Sequence, residues 1–241
     1  MNPTLGYAAP MRVAALILGA GRGERLGHAA PKAFVTLAGR PLIAYSLETF
    51  LASDAIDRVV PVVPEAVCER LAECLGALSG NPKLAPPVVG GRERQDSVRA
   101  GLGALAEDVG WVAVHDAARP LVRGEAIARV VAAARTCGAA LLAAPVADTI
   151  KRVRNGVVVE TPPRSECYAA QTPQVFRRDW LTRGVAAAGA AGRSATDCAQ
   201  LVEALGIPVR VVEGDADNVK ITLPADLELA EGRLAPDGKA R

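Results

Sequence analysis

Short apolar runs alternating with helical periodicity constrain this chain more than any other feature. The runs are Val13–Leu18, Arg58–Val63, Val88–Val89, Trp111–Val114, Ala139–Ala144 and Val209–Val212. Between most of them lie segments with one apolar helical face. Ile43, Leu47, Phe50 and Leu51 form one such face, and Val67, Leu71, Cys74, Leu75 and Leu78 another. Val98, Leu102 and Leu105 form a third, and Ile127, Val130, Val131 and Ala134 a fourth. Parallel strands need a crossover between them, and the crossover helices cover both faces of the sheet. The expected fold class is therefore α/β, a Rossmann-like, mainly parallel sheet with helices on both faces. Ligands of such sheets bind beyond the carboxyl ends of the strands. Pro61 lies inside the second run and cannot donate to a ladder, so that strand is expected near an edge or a bulge.

The first run breaks abruptly into Gly19, Gly21 and Gly23, with Arg25 and the pair Pro31-Lys32 after it. Glycines let a backbone turn sharply and let a ligand approach its N–H groups, which makes an anion cradle. Backbone donors with two cations suggest a phosphate chain. A P-loop requires Gly-x4-Gly-Lys-[Ser/Thr], which is absent. A dinucleotide fingerprint requires a third glycine where Glu24 or Leu26 stands, and a second helical segment makes the unit too long. A nucleotidyltransferase loop, Gly-x-Gly-x-x-x-Arg followed by Pro-Lys, fits. An ordinary strand-to-helix turn with solvated charges is the simpler alternative.

Composition narrows the partners. The 241 residues are 50% hydrophobic and 22% charged, and the net charge is +2. Aromatics are only 3%, so the core must be built from Ala, Val and Leu. So few rings and no long basic run argue against a nucleic-acid partner. Five cysteines are scattered without a Cys-x-x-Cys pair beside only two histidines. Reduced thiols in the cytoplasm are expected, with neither a zinc site nor a disulfide framework. The apolar start at Met11 imitates a signal peptide but feeds straight into the glycine loop and Arg22. No apolar run approaches the ~18 residues of a membrane span.

Further along, Gly90-Gly-Arg-Glu-Arg-Gln-Asp-Ser97 is another glycine turn opening a helix. It suits base or sugar recognition by backbone groups and the Ser97 hydroxyl, or plain capping by Asp96 or Ser97. His115-Asp-Ala-Ala-Arg-Pro120 ends a strand and sets Asp116 and Arg119 at its carboxyl end. A carboxylate there can anchor hydroxyls or the water shell of magnesium, and an arginine can grip phosphate. The alternative is an Asp116–Arg119 ion pair closing a turn. His115 is assigned no role. From Asp148 the alternation stops. Thr149–Val153 and Val157–Glu160 flank Asn155-Gly156, the signature of a β-hairpin. A lone hairpin is marginal, so a second copy of the chain is expected to support it. Arg178–Ala190 reads as helix, Thr196-Asp197 as a helix cap, and Lys220 as a further cation beside a strand end. No repeats and no linker are evident.

Taken together, the chain resembles the 2-C-methyl-D-erythritol 4-phosphate cytidylyltransferases. The matching pieces are Gly19–Arg25, Pro31-Lys32, Gly90–Ser97, His115–Pro120, Asp148-Thr-Ile-Lys151, Gln171-Thr-Pro-Gln174, Thr196-Asp197 and Asp217-Asn-Val-Lys220. They stand in the family's order from about Arg12 to Glu231. The resemblance implies a single nucleotidyltransferase domain over 1–241, with a dimerising hairpin arm at about 148–170. It implies transfer of a cytidylyl group from CTP to methylerythritol 4-phosphate with release of pyrophosphate. It also implies magnesium held mainly by the phosphates of CTP, with no protein metal cage. By carry-over, Arg25 and Lys32 stabilise the transition state, and Lys220 and Arg164 orient the attacking phosphate. Asp116, Arg119, Thr149, Thr172 and Thr196 hold the polyol phosphate. Gly19, Ala20, Gly21, Gly91, Ser97 and Ala117 line the nucleotide pocket. The implied assembly is a cytoplasmic homodimer with shared sites, Thr149 and Arg164 serving the neighbour, and with no nucleic acid or membrane partner. Ribitol-5-phosphate cytidylyltransferases are the nearest other resemblance, and a non-catalytic nucleotide-sensing subunit is the alternative of a different class. Two departures stand out: Leu18-Gly19 where many relatives have Pro-Ala, and Cys198 where many have an acid.

Overall fold

The computed structural model describes residues 11–21, 31–69 and 71–234. Seven strands form one sheet in the order β11-β7-β10-β6-β1-β4-β5. They are β1 (Arg12–Leu18), β4 (Arg58–Val63), β5 (Val88–Val89), β6 (Val109–Asp116), β7 (Ala139–Pro145), β10 (Tyr168–Arg177) and β11 (Arg210–Glu213). Every pairing is parallel except those of β10, which runs antiparallel to β6 and β7. The remaining strands make two small ribbons: β2 (Thr36–Leu37) with β3 (Arg40–Pro41), and β8 (Arg152–Arg154) with β9 (Val157–Glu160).

Side chains of β1 show why both faces had to be covered. Val13, Ala15 and Ile17 enter one apolar cluster, and Ala14, Leu16 and Leu18 enter another. Successive strand residues point to opposite faces, so an unbroken apolar run fits only a strand buried on both. The first cluster is closed by α1 (Leu42–Ala52), α3 (Leu71–Leu75) and α5 (Gly124–Cys137). The second is closed by α4 (Arg94–Gly103), α6 (Arg178–Ala190) and α7 (Cys198–Glu203). A third, smaller cluster joins Val35, Leu37, Leu42 and Ile221 to Ala230 of α8 (Pro224–Leu234). The expected helical faces are buried in α1, α4 and α5. The face over Val67–Leu78 is instead split between α2 (Glu65–Cys68), α3 and a 3-10 turn, and Cys74 on it is exposed. Helix α5 stops at Gly138, whose φ of +92° is costly for other residues and where a side chain would strike the Trp180 ring.

Pro61 sits where its missing donor costs nothing. Strand β4 lies next to the short edge strand β5, and Val59 and Val63 bond outward to Lys83, Ala85 and Gly90. Pro61 shares their side of β4 and falls in the gap between the Leu84 bridge and Val88. The hairpin forms as expected, with Asn155 at φ +51° and Gly156 at +77°. Both values suit the primed turn that matches strand twist. All of its residues from 152 to 160 are exposed, including Val153, Val157, Val158 and Val159.

A titratable ring lies among the buried polar residues. His115 is fully buried at the end of β6 against the Phe50 ring, with centroids 4.8 Å apart. Burial pushes its pKa down to about 4, an effect that Asp116 partly offsets and Arg119 reinforces. The folded chain therefore keeps this ring neutral at pH values where the unfolded chain, titrating near 6.5, protonates it. Stability contributed this way is complete above pH 6.5 and falls as pH drops from 6.5 toward 4. Urea unfolding at pH 7 and pH 5 should show a loss of about 2 kcal/mol from this group. His115→Gln should remove that component of the pH dependence.

Candidate functional site

The carboxyl ends of β1, β4, β5 and β6 are stitched together by backbone hydrogen bonds. Gly19 N–H donates to Val62 C=O at 2.7 Å, Gly90 to Val63 at 2.8 Å, and Ala117 to Leu18 at 3.0 Å. Beyond this seam opens a cavity of about 370 Å³. Its walls come from Leu18–Gly21, Lys32-Ala33, Gly91–Arg94, Ser97, Asp116, Ala118, Lys220 and Thr222. A second hollow shares Ala20, Gly91 and Arg92 with it and continues between Pro31 and Pro64. Close approach decides the residue at Gly90, where any Cβ would collide with the Ala20 Cβ and the Ser97 Oγ.

Asp116 is the electrostatic centre of the wall. Its Oδ2 accepts from Lys220 Nζ at 2.7 Å and its Oδ1 from Arg94 Nε at 3.1 Å. Burial alone would raise its pKa, but the two cations overcome that and hold the carboxyl well below the usual range. Arg94 Nη1 lies 3.1 Å from Cys198 Sγ. Burial pushes the Cys198 thiol up, so it is neutral near pH 7 and the negative charge facing Arg94 is that of Asp116.

The cavity gathers Gly19, Ala20, Gly21, Lys32, Gly91, Ser97, Asp116 and Lys220, all expected from sequence. Lys32 stands on a 3-10 turn, Lys32–Phe34, after Pro31. Arg25 lies outside the described residues. Ser97 Oγ accepts from Gly91 N–H at 3.2 Å and so shapes the glycine turn. The helix cap is neither Asp96 nor Ser97: Glu93 is the capping residue of α4, and its N–H donates to the Asp96 carboxylate at 3.2 Å. Ser97 and Asp96 are one turn too late to cap, although Asp96 supplies the reciprocal bond of a capping box.

Other expected residues stand off the cavity lining. Ala117 is fully buried, and its neighbour Ala118 faces the cavity instead. The Arg119 guanidinium does not close an ion pair onto Asp116. Its Nη1 donates to Asn218 C=O at 2.7 Å and its Nη2 to Ala170 C=O at 3.1 Å, while its backbone N–H closes the turn onto Asp116 C=O. Thr172 is buried, and its hydroxyl serves Asp116 N–H and His115 Nδ1. Thr149 is exposed ahead of the hairpin, and Arg164 is exposed after it with Nη1 on Ala147 C=O at 2.9 Å. Thr196 is exposed before α7, with its N–H on Gln200 Oε1 at 2.9 Å.

Sequence reasoning missed Arg94 as the partner of Asp116. Arg94 stands inside the glycine turn, but its role depends on a carboxylate 22 residues away. The physical use of Gln174 was missed as well. That buried amide accepts from the N–H groups of Cys198 and Ala199 at 3.0 and 3.1 Å and donates to Asp197 at 2.8 Å, which fixes the start of α7. Chemically, the wall offers backbone and hydroxyl donors on one side and ammonium and guanidinium groups around one carboxylate on the other. Such a wall suits an anionic, hydroxyl-bearing ligand pair.

Comparison with known proteins gives the family. The family model for IspD, 2-C-methyl-D-erythritol 4-phosphate cytidylyltransferase, matches residues 13–235. The chain is 44% identical over 235 residues to the 2-C-methyl-D-erythritol 4-phosphate cytidylyltransferase of Pelotomaculum thermopropionicum, covering 94% of this chain and 99% of that protein. It is 48% identical over 221 residues to the protein of that name from Rhodococcus opacus, covering 90% and 93%. The crystal structure of 2-C-methyl-D-erythritol 4-phosphate cytidylyltransferase from Thermus thermophilus superposes with a TM-score of 0.75 at 37% identity, covering 93% of this chain and 99% of that one. A match over nearly the whole chain, in sequence and in fold together, means that the chain belongs to the 2-C-methyl-D-erythritol 4-phosphate cytidylyltransferase family.

Proposed function

We propose that this protein transfers a cytidylyl group from CTP to 2-C-methyl-D-erythritol 4-phosphate. A phosphate oxygen of the polyol phosphate attacks the α-phosphorus of CTP. The bond from the α-phosphorus to the bridging oxygen breaks, and pyrophosphate leaves. The observation that carries this reading is the convergence of Gly19–Gly21, Lys32 and Lys220 on one cavity around Asp116, in a chain of this family.

Both reactants are anionic, so bringing them together in line is the main task, and positioning with charge stabilisation does most of it. In this reading Gly19, Ala20, Gly21, Gly91 and Ser97 receive the nucleotide, with Ala117 supporting the floor. Lys32 and Arg25 stabilise charge on the transferring phosphoryl group. Lys220, tethered by Asp116, meets the attacking phosphate, and Asp116 accepts from polyol hydroxyls. Arg119 and Thr172 support the polyol site from behind, because the two Nη groups of Arg119 and the Thr172 hydroxyl are taken. Magnesium would be held mainly by the phosphates of CTP and would neutralise part of their charge, since Asp116 already meets two cations and the described residues group no three His, Cys, Asp or Glu for a metal. The free thiols of all five cysteines suit a cytoplasmic enzyme.

A homodimer with shared sites completes the reading. It is supported by the exposed valines of the hairpin and by Thr149 and Arg164 flanking that hairpin away from their own cavity. A two-stranded ribbon with such a surface gains stability from a partner.

With CTP and magnesium, pyrophosphate should be released on addition of 2-C-methyl-D-erythritol 4-phosphate and not of ribitol 5-phosphate. Release with ribitol 5-phosphate alone would reassign the polyol, and release with neither would remove the catalytic reading. Lys32→Ala should lower turnover roughly a hundred- to a thousandfold with an unchanged circular dichroism spectrum, since one preorganised donor to a transition state is worth about 3–4 kcal/mol. Mixing Arg164→Ala with Lys32→Ala after subunit exchange should restore part of the activity, because half of the sites in mixed dimers would be intact. Full exchange without recovery would mean that each site is built within one chain.

A further inference from the structure

His115 takes no part in the chemistry above, yet it is tied to both ends of the turn that carries Asp116 and Arg119. Its Nε2 lies 3.2 Å from Arg119 C=O and 3.3 Å from Ser46 Oγ. Its Nδ1 lies 3.0 Å from Thr172 Oγ1, which in turn accepts from Asp116 N–H at 3.1 Å. A carbonyl oxygen can only accept, so Nε2 carries the proton and donates to Arg119. Nδ1 is then the acceptor, and the single hydroxyl proton of Thr172 goes to it. The ring thus spans the two ends of the turn Asp116-Ala-Ala-Arg119. It grips one end directly and the other through Thr172.

The grip reaches further than the turn. The Arg119 guanidinium holds Asn218 C=O, two residues before Lys220, and Ala170 C=O on β10. The Asn218 side chain returns to Thr172 C=O at 3.0 Å. Asp116 and Lys220, which meet at 2.7 Å in the cavity wall, are therefore both backed by groups that lead to one imidazole. The ring itself is seated from α1 by Ser46 and Phe50. The local register of β10 shifts between Ala170 and Gln174, and this irregularity brings Thr172 against β6.

We propose that His115 is a positioning residue for the reaction, setting the Asp116–Arg119 turn and with it the carboxylate and ammonium that meet the polyol phosphate. This rests on the assignment of Asp116 to the polyol side of the site. The task needs a neutral side chain with one donor and one acceptor on opposite edges, and among the common side chains imidazole alone offers both in a rigid ring. Asparagine and glutamine each imitate half of it. The Asn oxygen takes the place of Nδ1 and keeps the Thr172 bond. The Gln amide takes the place of Nε2 and keeps the Arg119 bond.

The test is steady-state kinetics of His115→Asn, His115→Gln, His115→Phe and Asp116→Asn, with CTP and 2-C-methyl-D-erythritol 4-phosphate varied separately and thermal midpoints measured alongside. One lost hydrogen bond is worth roughly a tenfold change. His115→Asn and His115→Gln should each raise the KM of the polyol phosphate by up to about tenfold and that of CTP by less than about twofold. His115→Phe, which loses both bonds, should exceed either in the same direction. If it does not fold, the Asn and Gln variants decide the matter alone. Thr172→Val removes the acceptor of Asp116 N–H in either background, so the comparison is between backgrounds: added to His115→Asn it should cost more than added to His115→Gln, because only asparagine keeps the Thr172 link. Lower thermal midpoints with both KM values unchanged, or raised equally, would reduce His115 to a packing residue and overturn the proposal. Asp116→Asn separates the two assignments. If it raises the polyol phosphate KM while the His115 variants do not, only the role of His115 fails. If it leaves that KM unchanged, the polyol assignment of Asp116 fails, and the role of His115 fails with it.

Discussion

A single nearly buried carboxylate, held between two cations from distant parts of the chain, organises the functional end of this protein. Arg94 is 22 residues from Asp116 in sequence and Lys220 is 104. Taking a carboxylate out of water is costly unless it is paired and hydrogen-bonded. The pairing therefore works in both directions. It keeps Asp116 ionised, and it fixes where the start of α4 and the segment after β11 must lie.

Around that charge the fold uses backbone more than side chains. Three parallel strands end together, and their following loops donate N–H groups to one another across the seam at Gly19, Gly90 and Ala117. The residues that follow the seam line the cavity, and Gly90 permits the close approach of Ala20 and Ser97. Antiparallel β10 then lies against β6, where its irregular stretch around Thr172 supports the turn after Asp116. A small aliphatic core suffices because the sheet is covered on both faces. Val, Leu, Ile and Ala make up most of it, with Phe50 and Phe176 the largest fully buried side chains.

Much of this was legible beforehand. The apolar runs named the strands that alternate with helices, and the Asn155-Gly156 pair named the hairpin, because both signals are local and their physics is local. Strand β10 was not visible as a strand, since Gln171-Thr-Pro-Gln174 interrupts it with polar residues and a proline. Those residues are buried because they serve other polar groups, and nothing local reveals that. Asp116 and Lys220 were legible as isolated charges beside strand ends. Their pairing was not, and neither was Arg94, which looked like one more charge in a basic and acidic turn. Arg119 read as a phosphate grip, whereas its guanidinium is spent on two backbone carbonyls. His115 read as a bystander, although it ties together both ends of the turn behind the cavity wall.

By itself the sequence determined the α/β class, the alternation of its parallel strands with helices, the two glycine turns and the inventory of cations. Periodicity, glycine and proline act through neighbours a few residues apart, so one dimension is enough to read them. Only the tertiary structure decided which cation meets which carboxylate, which threonine faces the cavity and which faces the core, and which histidine atom bears the proton. Those outcomes depend on distances between segments far apart in the chain and on the loss of water around them. Burial turns an ordinary surface charge or hydroxyl into a group that must find a partner, and the fold alone determines which partner lies within reach.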